Sequence, residues 1–567
     1  MATSPKIIIG LETEYANIIT KNEYPINDTR LIGEAILTML DAVSENMVSF
    51  EGTRGGIENP EEHDRAEEIV SLGDENINET PVVSEAAEAQ RRGYSGHMLE
   101  NGARCYEDCR HLEYSTPETE NPRDALLAQL AGDKIADQAR RDAEPILQKF
   151  FRDDDLRIML CKNNSDGKGH SYAAHENYSL SPETFSFVCG RPVSLSYERW
   201  LEEKAFKVAD ERSPYAAMTL LFFVTRQILC GAGKTLAETG RDVVPYQISQ
   251  RADFMERAFS VNTMEHRGII NLRDYPYADY WKLRRLHVIC GDGNISELSI
   301  FLKCGLSGLF FMMLDSGFLD TRAERLSVPL SNPVASFRAV SRDLSLSEPL
   351  LFCDGTQIRA VDILQEIVGY AKDFSEKYGL SKPWKDAAHL SQKALDGLER
   401  ERDKDEYSRS LDWVAKENVI RLAKKRSEKH KAPWKQHVAR AIDLQYHDMD
   451  NQKSIAYLLK QKNNLLRLVS DEETNTFMRS APENTRAWVR AEIIKRFGEN
   501  IFSLRWNNIA FRTPDGIVFL NLPDPFVSKN ETWGFFQGEP TLEEFLRRFP
   551  SELLNTTFTT YTERVLL

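Results

Sequence analysis

The segment from Lys6 to Ala16, KIIIGLETEYA, sets an apolar run, Ile7-Ile8-Ile9, just ahead of two acidic residues two apart, Glu12 and Glu14. The run predicts a β-strand, and alternate residues of a strand share a face. Both carboxylates therefore leave one rigid element in the same direction. Two like charges held that close repel unless a cation lies between them. A hard divalent ion that takes oxygen ligands, such as Mg²⁺ or Mn²⁺, meets that need. A solvated edge strand with two surface glutamates gives the same local pattern, so the choice rests on the clusters further along the chain.

At 567 residues the length predicts about two to four domains, and 41% hydrophobic residues can bury a large core. The formal net charge is −15, and most of that excess is local: Glu51 to Gln90 carries twelve acidic residues against two arginines. With no basic stripe, a nucleic-acid surface is not expected. Eight cysteines form no CxxC pair and no disulfide-like framework, which favours a reducing cytoplasm. The N-terminus MATSPK leads into a strand without an apolar signal region. The apolar stretches Ala216 to Val224 and Ile300 to Leu314 are short and read as buried helices, so no membrane partner is expected.

Strand-like and helical segments alternate irregularly to about Asp320, which predicts an α+β fold on a largely antiparallel sheet. The acidic segment, about 51–95, reads as a long mobile loop. From about Asp362 to Lys462 the pattern is helical and charged, with Leu411, Val414, Val419 and Leu422 at helical spacing. After Pro482 come a helix, two strands around Ile509 and Val518, and a Pro-rich tail. The expected division is a main unit, 1–475, and a small C-terminal α/β domain, 476–567.

Three further clusters bear on chemistry. In NGARCYEDCRHLEYSTPE, Arg104, Tyr106 and Asp108 alternate with Cys105 and Glu107, so one strand face carries a cation, a phenol and a carboxylate, and Glu113 follows after a short irregular piece. In KNNSDGKGHSYAAHENYSL, a turn-rich loop precedes His170, His175, Glu176 and Asn177, which offer nitrogen and oxygen ligands. The third comprises Ser249 to Asp253, Asn271 to Asp274 and Arg284 to His287, whose arginines could clamp phosphate oxygens through their planar forks. One motif fails: Gly231-Ala232-Gly233-Lys234-Thr235 has Ile228 where a phosphate-binding loop needs glycine, and it follows a helix, so it reads as a helix cap.

In order along the chain, Gly10 to Tyr15, Asn101 to Arg104, Glu113-Tyr114, Lys162 to Asn164, His175 to Tyr178, Ser249 to Arg251, Ile270 to Asp274, Arg285 to Ile289, Leu411 to Trp413, Asp443 to Tyr446, Thr485 to Ala487 and Trp506 resemble one family. It is the family of the Pup ligases and the Pup deamidases/depupylases, relatives of glutamine synthetase and the carboxylate–amine ligases. Within it, Ser249 to Phe254, Asp166 to Gly169, Pro333 to Ala335, Ser341 to Asp343, the insert before Asn101 and the three-residue step from Asp108 to His111 are similar to the depupylase branch. Thr225 to Gln227 with Cys230 to Lys234 is equally similar to the ligases. Leu112 and Tyr275 stand where the family usually has proline and glutamate.

The resemblance implies a glutamine-synthetase-like curved antiparallel sheet forming a cradle for ATP and Mg²⁺. It further implies Glu12, Glu14, Tyr106, Glu113, His175 and His287 as the metal shell, Arg104, Arg251 and Arg273 on phosphate, and Thr116 and Trp506 at the nucleotide. Asp108 is the expected catalytic group, as base or as nucleophile. The implied reaction is hydrolysis at the side-chain carbonyl of Pup's C-terminal Gln, or of the Glu–lysine isopeptide, with ATP bound and not consumed per turnover. The implied partners are Pup or a Pup-like protein and pupylated proteins, met by a monomer. A Pup ligase working through an acyl phosphate, and a non-catalytic Pup-binding protein, are the alternatives.

Overall fold

The computed structural model describes residues 5–22, 24–26, 28–47, 49–51, 96–190, 213–236, 245–431 and 433–557. Apart from Glu51, the expected acidic loop lies outside them. The N-terminal apolar run forms β1, Ile9–Lys21, which is the spine of a nine-stranded sheet. The others are β2 (Tyr24–Pro25), β3 (Ser49–Glu51), β4 (Gly96–Leu99), β5 (Arg104–Asp108), β6 (His111–Ser115), β7 (Leu156–Cys161) and β8 (Ala174–Leu180). A parallel pair, β9 (Arg257–Ser260) and β10 (Gly268–Asn271), stands apart, and β11 (Arg284–Val288) returns to the sheet. The sheet runs β11-β8-β1-β6-β5-β4-β3, with β2 and β7 on the far end of β1, and every pairing is antiparallel.

Two helices cover the inner face. The first, α1 (Thr29–Asn46), is capped by the Asp28 carboxylate, and α2 (Pro122–Phe151) by Asn121 with Pro122 in its first turn. Tyr15, Cys105, Leu112 and Tyr114 point inward and pack with Ile36, Met39 and Leu40 of α1 and Ile135 and Ala139 of α2. Strand alternation then turns Glu12, Glu14, Tyr106, Asp108 and Glu113 to the opposite face. The sequence places an irregular piece before Glu113. The structure has instead a two-residue turn, Cys109-Arg110, closing a β5–β6 hairpin.

The two apolar stretches are helices α3 (Pro214–Cys230) and α4 (Glu297–Asp315), and every residue from Ala216 to Cys230 is buried. By length and composition α4 could cross a membrane, but its apolar window lies wholly inside the fold. Helices occupy most of 360–461, as expected. One of them, α5 (Asp412–Lys429), buries Leu411 at its cap and Val414, yet leaves Leu422 64% exposed. Its second half therefore leaves the body of the protein, and the apolar stripe ends there. The strands expected around Ile509 and Val518 are Asn508–Thr513 and Gly516–Asn521, in a four-stranded sheet packed with the helix Arg486–Phe497.

Candidate active site

Strand register assembles the site on the outer face. Glu12 lies opposite His175 of β8, and Glu14 opposite Glu113 of β6. Glu113 in turn faces Tyr106 of β5, Asp108 faces His111, and Asn177 of β8 faces His287 of β11. Two groups of donor atoms result, each within 4.8 Å of one another: Glu12 with His175 and His287, and Glu14 with Asp108 and Glu113. Asn177 joins them, donating to Glu12 Oε1 at 2.9 Å and accepting from His287 Nδ1 at 2.9 Å. That bond puts the ring proton on Nδ1 and leaves the Nε2 lone pair of His287 available to a ligand.

The electrostatics state what the face lacks. Burial raises the Glu12 carboxyl, but the His175 hydrogen bond, the neighbouring imidazoles and the Arg285 charge outweigh it and hold it well below the usual range. Glu14 is likewise raised by burial, yet held low by His111, His175 and Arg251. Glu113 goes the other way: burial, then Asp108, Glu14 and Glu12, push it well above normal. Tyr106, whose hydroxyl donates to Glu113 Oε1 at 2.6 Å, is pushed up by burial and by Glu113, so its phenol keeps its proton. Burial also drives His287 well below its ordinary value, leaving the neutral imidazole that ligates metals. A divalent cation would relieve the repulsion at Glu113. The all-carboxylate group fits a hard ion such as Mg²⁺, and the imidazole-bearing group also suits Mn²⁺.

The hairpin that sets Asp108 beside Glu14 is strained. Cys109 and Arg110 both have positive φ, +47° and +66°. Tight two-residue hairpins of one common type require this at both positions and favour Asn-Gly there. Each non-glycine residue costs about 1–2 kcal/mol in that conformation. The double variant Cys109→Asn with Arg110→Gly is expected to raise stability by about 1 kcal/mol or more, read as a higher denaturant midpoint at unchanged slope.

Beside Glu12 opens a cavity of about 110 Å³, with Thr116, Asn177, Tyr277, Arg285 and Trp506 among its walls. Thr116 Oγ1 accepts from the Leu11 N–H at 3.0 Å, which fixes the hydroxyl against β1. Trp506 is held from behind by Arg490, whose guanidinium lies 4.8 Å from the ring and bonds the Trp506 carbonyl at 2.9 Å. Arg490 and Arg486 both grip Glu118, at 2.6 and 2.9 Å. Burial raises Glu118, but Arg490 and Arg486 bring it down to about 2.

This depressed carboxyl stabilises the fold above its unfolded value near 4.5, and the benefit fades as pH falls toward 2. The size is about 3 kcal/mol. Glu118→Gln is therefore expected to cost about that much at pH 7 and progressively less below pH 4.5. Chemical denaturation followed by tryptophan fluorescence measures it.

The expected phosphate arginines separate. Arg104 stacks its guanidinium 4.5 Å from the Tyr106 ring, on the carboxylate-bearing face. Arg273 donates through Nε to the Val261 carbonyl at 3.0 Å and is near enough to bear on His287. Arg251 is only 1% exposed and bonds the Ile289 and Tyr172 carbonyls and Ser171 Oγ. It acts here by charge on Glu14 rather than as an open clamp. Glu176, offered with His175 as a ligand, points to the opposite face and pairs with Arg226 at 2.7 Å. His170 is solvent-facing and bonded to Asp166.

A profile of the Pup-ligase protein family matches residues 7–510. The chain belongs to that family. Among Pup-ligase family members, a depupylase from Acidothermus cellulolyticus is 35% identical over 432 residues, covering 74% of this chain and 76% of the relative. A Pup deamidase/depupylase from Mycolicibacterium smegmatis is 33% identical over 428 residues, 75% of this chain and 77% of the relative. The structure of the ligase PafA in complex with Pup superposes with a TM-score of 0.69 at 25% identity, covering 97% of this chain and 99% of that one. PafA in complex with ADP gives 0.63 at 28% identity, covering 80% and 93%. The α+β architecture with its antiparallel sheet is thus the family's.

The sequence clusters named Asn177 and the stretch Arg284 to His287 without carrying Asn177 or Arg285 into the expected metal shell or phosphate set, and Tyr277 was not singled out. Arg285 Nη1 lies 3.1 Å from Asn177 Oδ1 and 3.7 Å from Glu12. The alternation that pairs Glu12 with Glu14 also pairs His287 with Arg285 and His175 with Asn177, so that signal was in the sequence. Nothing local marks Tyr277.

Proposed function

We propose that this chain is an ATP- and Mg²⁺-dependent hydrolase of Pup. It would convert Pup's C-terminal Gln to Glu and cut the isopeptide between that Glu and a substrate lysine. The observation that carries the reading is Asp108, a carboxylate at the end of β5 beside Glu14 and Glu113, in a chain 35% identical to a depupylase. The Mycolicibacterium relative's name supplies the deamidation arm, and the ADP complex of PafA supports a nucleotide in the slot lined by Thr116 and Trp506.

In this mechanism Glu12, His175, His287, Glu14 and Glu113 hold the divalent ions, with Tyr106 hydrogen-bonded to Glu113. Bound Mg²⁺ neutralises phosphate and carboxylate charge and polarises the oxygens it touches. Arg104, Arg273 and Arg285 offset the negative charge of the nucleotide, while the proposed C-terminal module, beginning near residue 476, brings Trp506 to the slot. Asp108 either takes a proton from water attacking the side-chain carbonyl or attacks that carbon itself. In both routes the C–N bond breaks, and ammonia or the lysine amine leaves with a proton. In the second route water then hydrolyses the aspartyl–acyl anhydride, freeing Asp108 and Pup's Glu; after single-turnover hydrolysis in H₂¹⁸O, label in Asp108 identifies that route, since the first leaves Asp108 unlabelled.

The setting proposed is a cytoplasmic monomer acting on Pup or a Pup-like protein and on pupylated proteins. Incubation with ATP, Mg²⁺ and a Pup-conjugated protein is expected to release free Pup without steady ATP hydrolysis. Accumulation of conjugates from Pup and free protein, with continuous ATP hydrolysis, would identify a ligase. Binding of Pup with neither outcome would identify a non-catalytic binder.

A further inference from the structure

We propose that Glu176 and Arg226 form a positioning pair that sets the metal-binding face from behind. The pair rests on the reading of Glu12, His175 and His287 as a divalent-ion site. Glu176 lies in β8 between His175 and Asn177, so its side chain enters the core while theirs face the site. It is fully buried, and Arg226 of α3 grips both of its oxygens at 2.7 Å in a fork-to-fork arrangement. The Tyr178 hydroxyl donates to Glu176 Oε2 at 2.6 Å, and Arg226 also reaches Ser307 Oγ of α4 at 2.6 Å. One strand residue is thereby pinned to two buried helices.

Space around the pair is closed as well. A methyl group on Gly291 would stand 2.2 Å from Glu176 Oε1, so glycine there lets the carboxylate keep its place. A buried ion pair is weak as a source of stability, because apolar residues of similar volume often do as well or better. Its geometric effect is specific: it fixes how far β8 sits along and above the core. On the other face that setting places His175 Nδ1 3.2 Å from Glu12 Oε2, and Asn177 between Glu12, Arg285 and His287. Hydrogen-bonded support of metal ligands commonly governs affinity by about 10–100-fold, and this pair acts on the same ligands through the β8 backbone.

The test uses Mn²⁺ alone and the full-length chain, with binding followed by electron paramagnetic resonance and folding by thermal melting. The double variant Glu176→Leu with Arg226→Met removes both charges at similar volume. It is expected to melt at or above the wild-type temperature while binding Mn²⁺ at least tenfold more weakly. Gly291→Ala, which displaces the carboxylate with one methyl group, is expected to weaken Mn²⁺ at least several-fold at a temperature where it is folded, and it decides the matter if the double variant does not fold. Wild-type Mn²⁺ affinity in the folded variants overturns the proposal alone. A wild-type chain that takes up no Mn²⁺ overturns the site reading and the proposal with it. Neither readout depends on release of Pup.

Discussion

Asp108→Asn is expected to slow release of Pup by about 10²–10⁴-fold, the range over which a positioned acid–base group acts. The substitution keeps the shape of the side chain on β5 and removes its charge and its capacity to accept a proton. It also removes the largest charge effect raising Glu113, second only to burial. The remaining carboxylates should thus hold a divalent ion about as well as before. Nucleotide and Mg²⁺ affinity, measured by calorimetry, is expected to stay within about threefold of wild type, given that the ligands left in place are unchanged. If affinity falls in step with rate, Asp108 serves as a metal ligand. If rate is unchanged, it has no part in the chemistry.

Glu113→Gln tests the metal face by a change of sign. The Glu113 carboxyl is raised well above its unfolded value by burial and by Asp108, Glu14 and Glu12. A group raised in this way favours the fold below its unfolded value, and that contribution is lost as pH climbs through the folded value. At pH 7 without metal, keeping this carboxyl in the fold is therefore a cost, and Gln removes it while still accepting from the Tyr106 hydroxyl. The variant should melt at or above the wild-type temperature in chelator. In Mg²⁺ the order should reverse, because the wild type gains a bound ion and the variant loses a ligand, with affinity down by about 10²-fold or more. A variant less stable than wild type in chelator, at every pH from 5 to 8, would sink this account.

The clustered face was legible wherever one strand carries two of its residues. Glu12 with Glu14, and Tyr106 with Asp108, need only the two-residue period. Glu113 was harder, because Cys109-Arg110 has none of the turn chemistry that announces a hairpin and holds its shape against local preference. The approach of His287 to His175, ring centres 4.8 Å apart, depends on pairing between strands more than a hundred residues apart in sequence. No local pattern encodes that contact. Arg251 and Glu176 show the opposite limit: one read in its motif as a phosphate arginine and the other as a ligand, but burial turned the first to backbone carbonyls and the second to Arg226. The end of the apolar stripe before Leu422 follows from what α5 packs against, which its own sequence does not state.

Because Glu12 and Glu14 sit on the same strand, β1 works as a ruler. Their attachment points are separated by one pleat repeat, about 7 Å, whatever the rest of the site does. The two carboxylates cannot drift apart or together by rearranging a loop; only the partner strands can slide against a fixed scale. A single residue inserted between Glu12 and Glu14 would not stretch this scale but invert half of it, sending one carboxylate into the core beside Tyr15. Variation in this chain's chemistry is thus confined to what surrounds the ruler, and its divisions are set by the backbone itself.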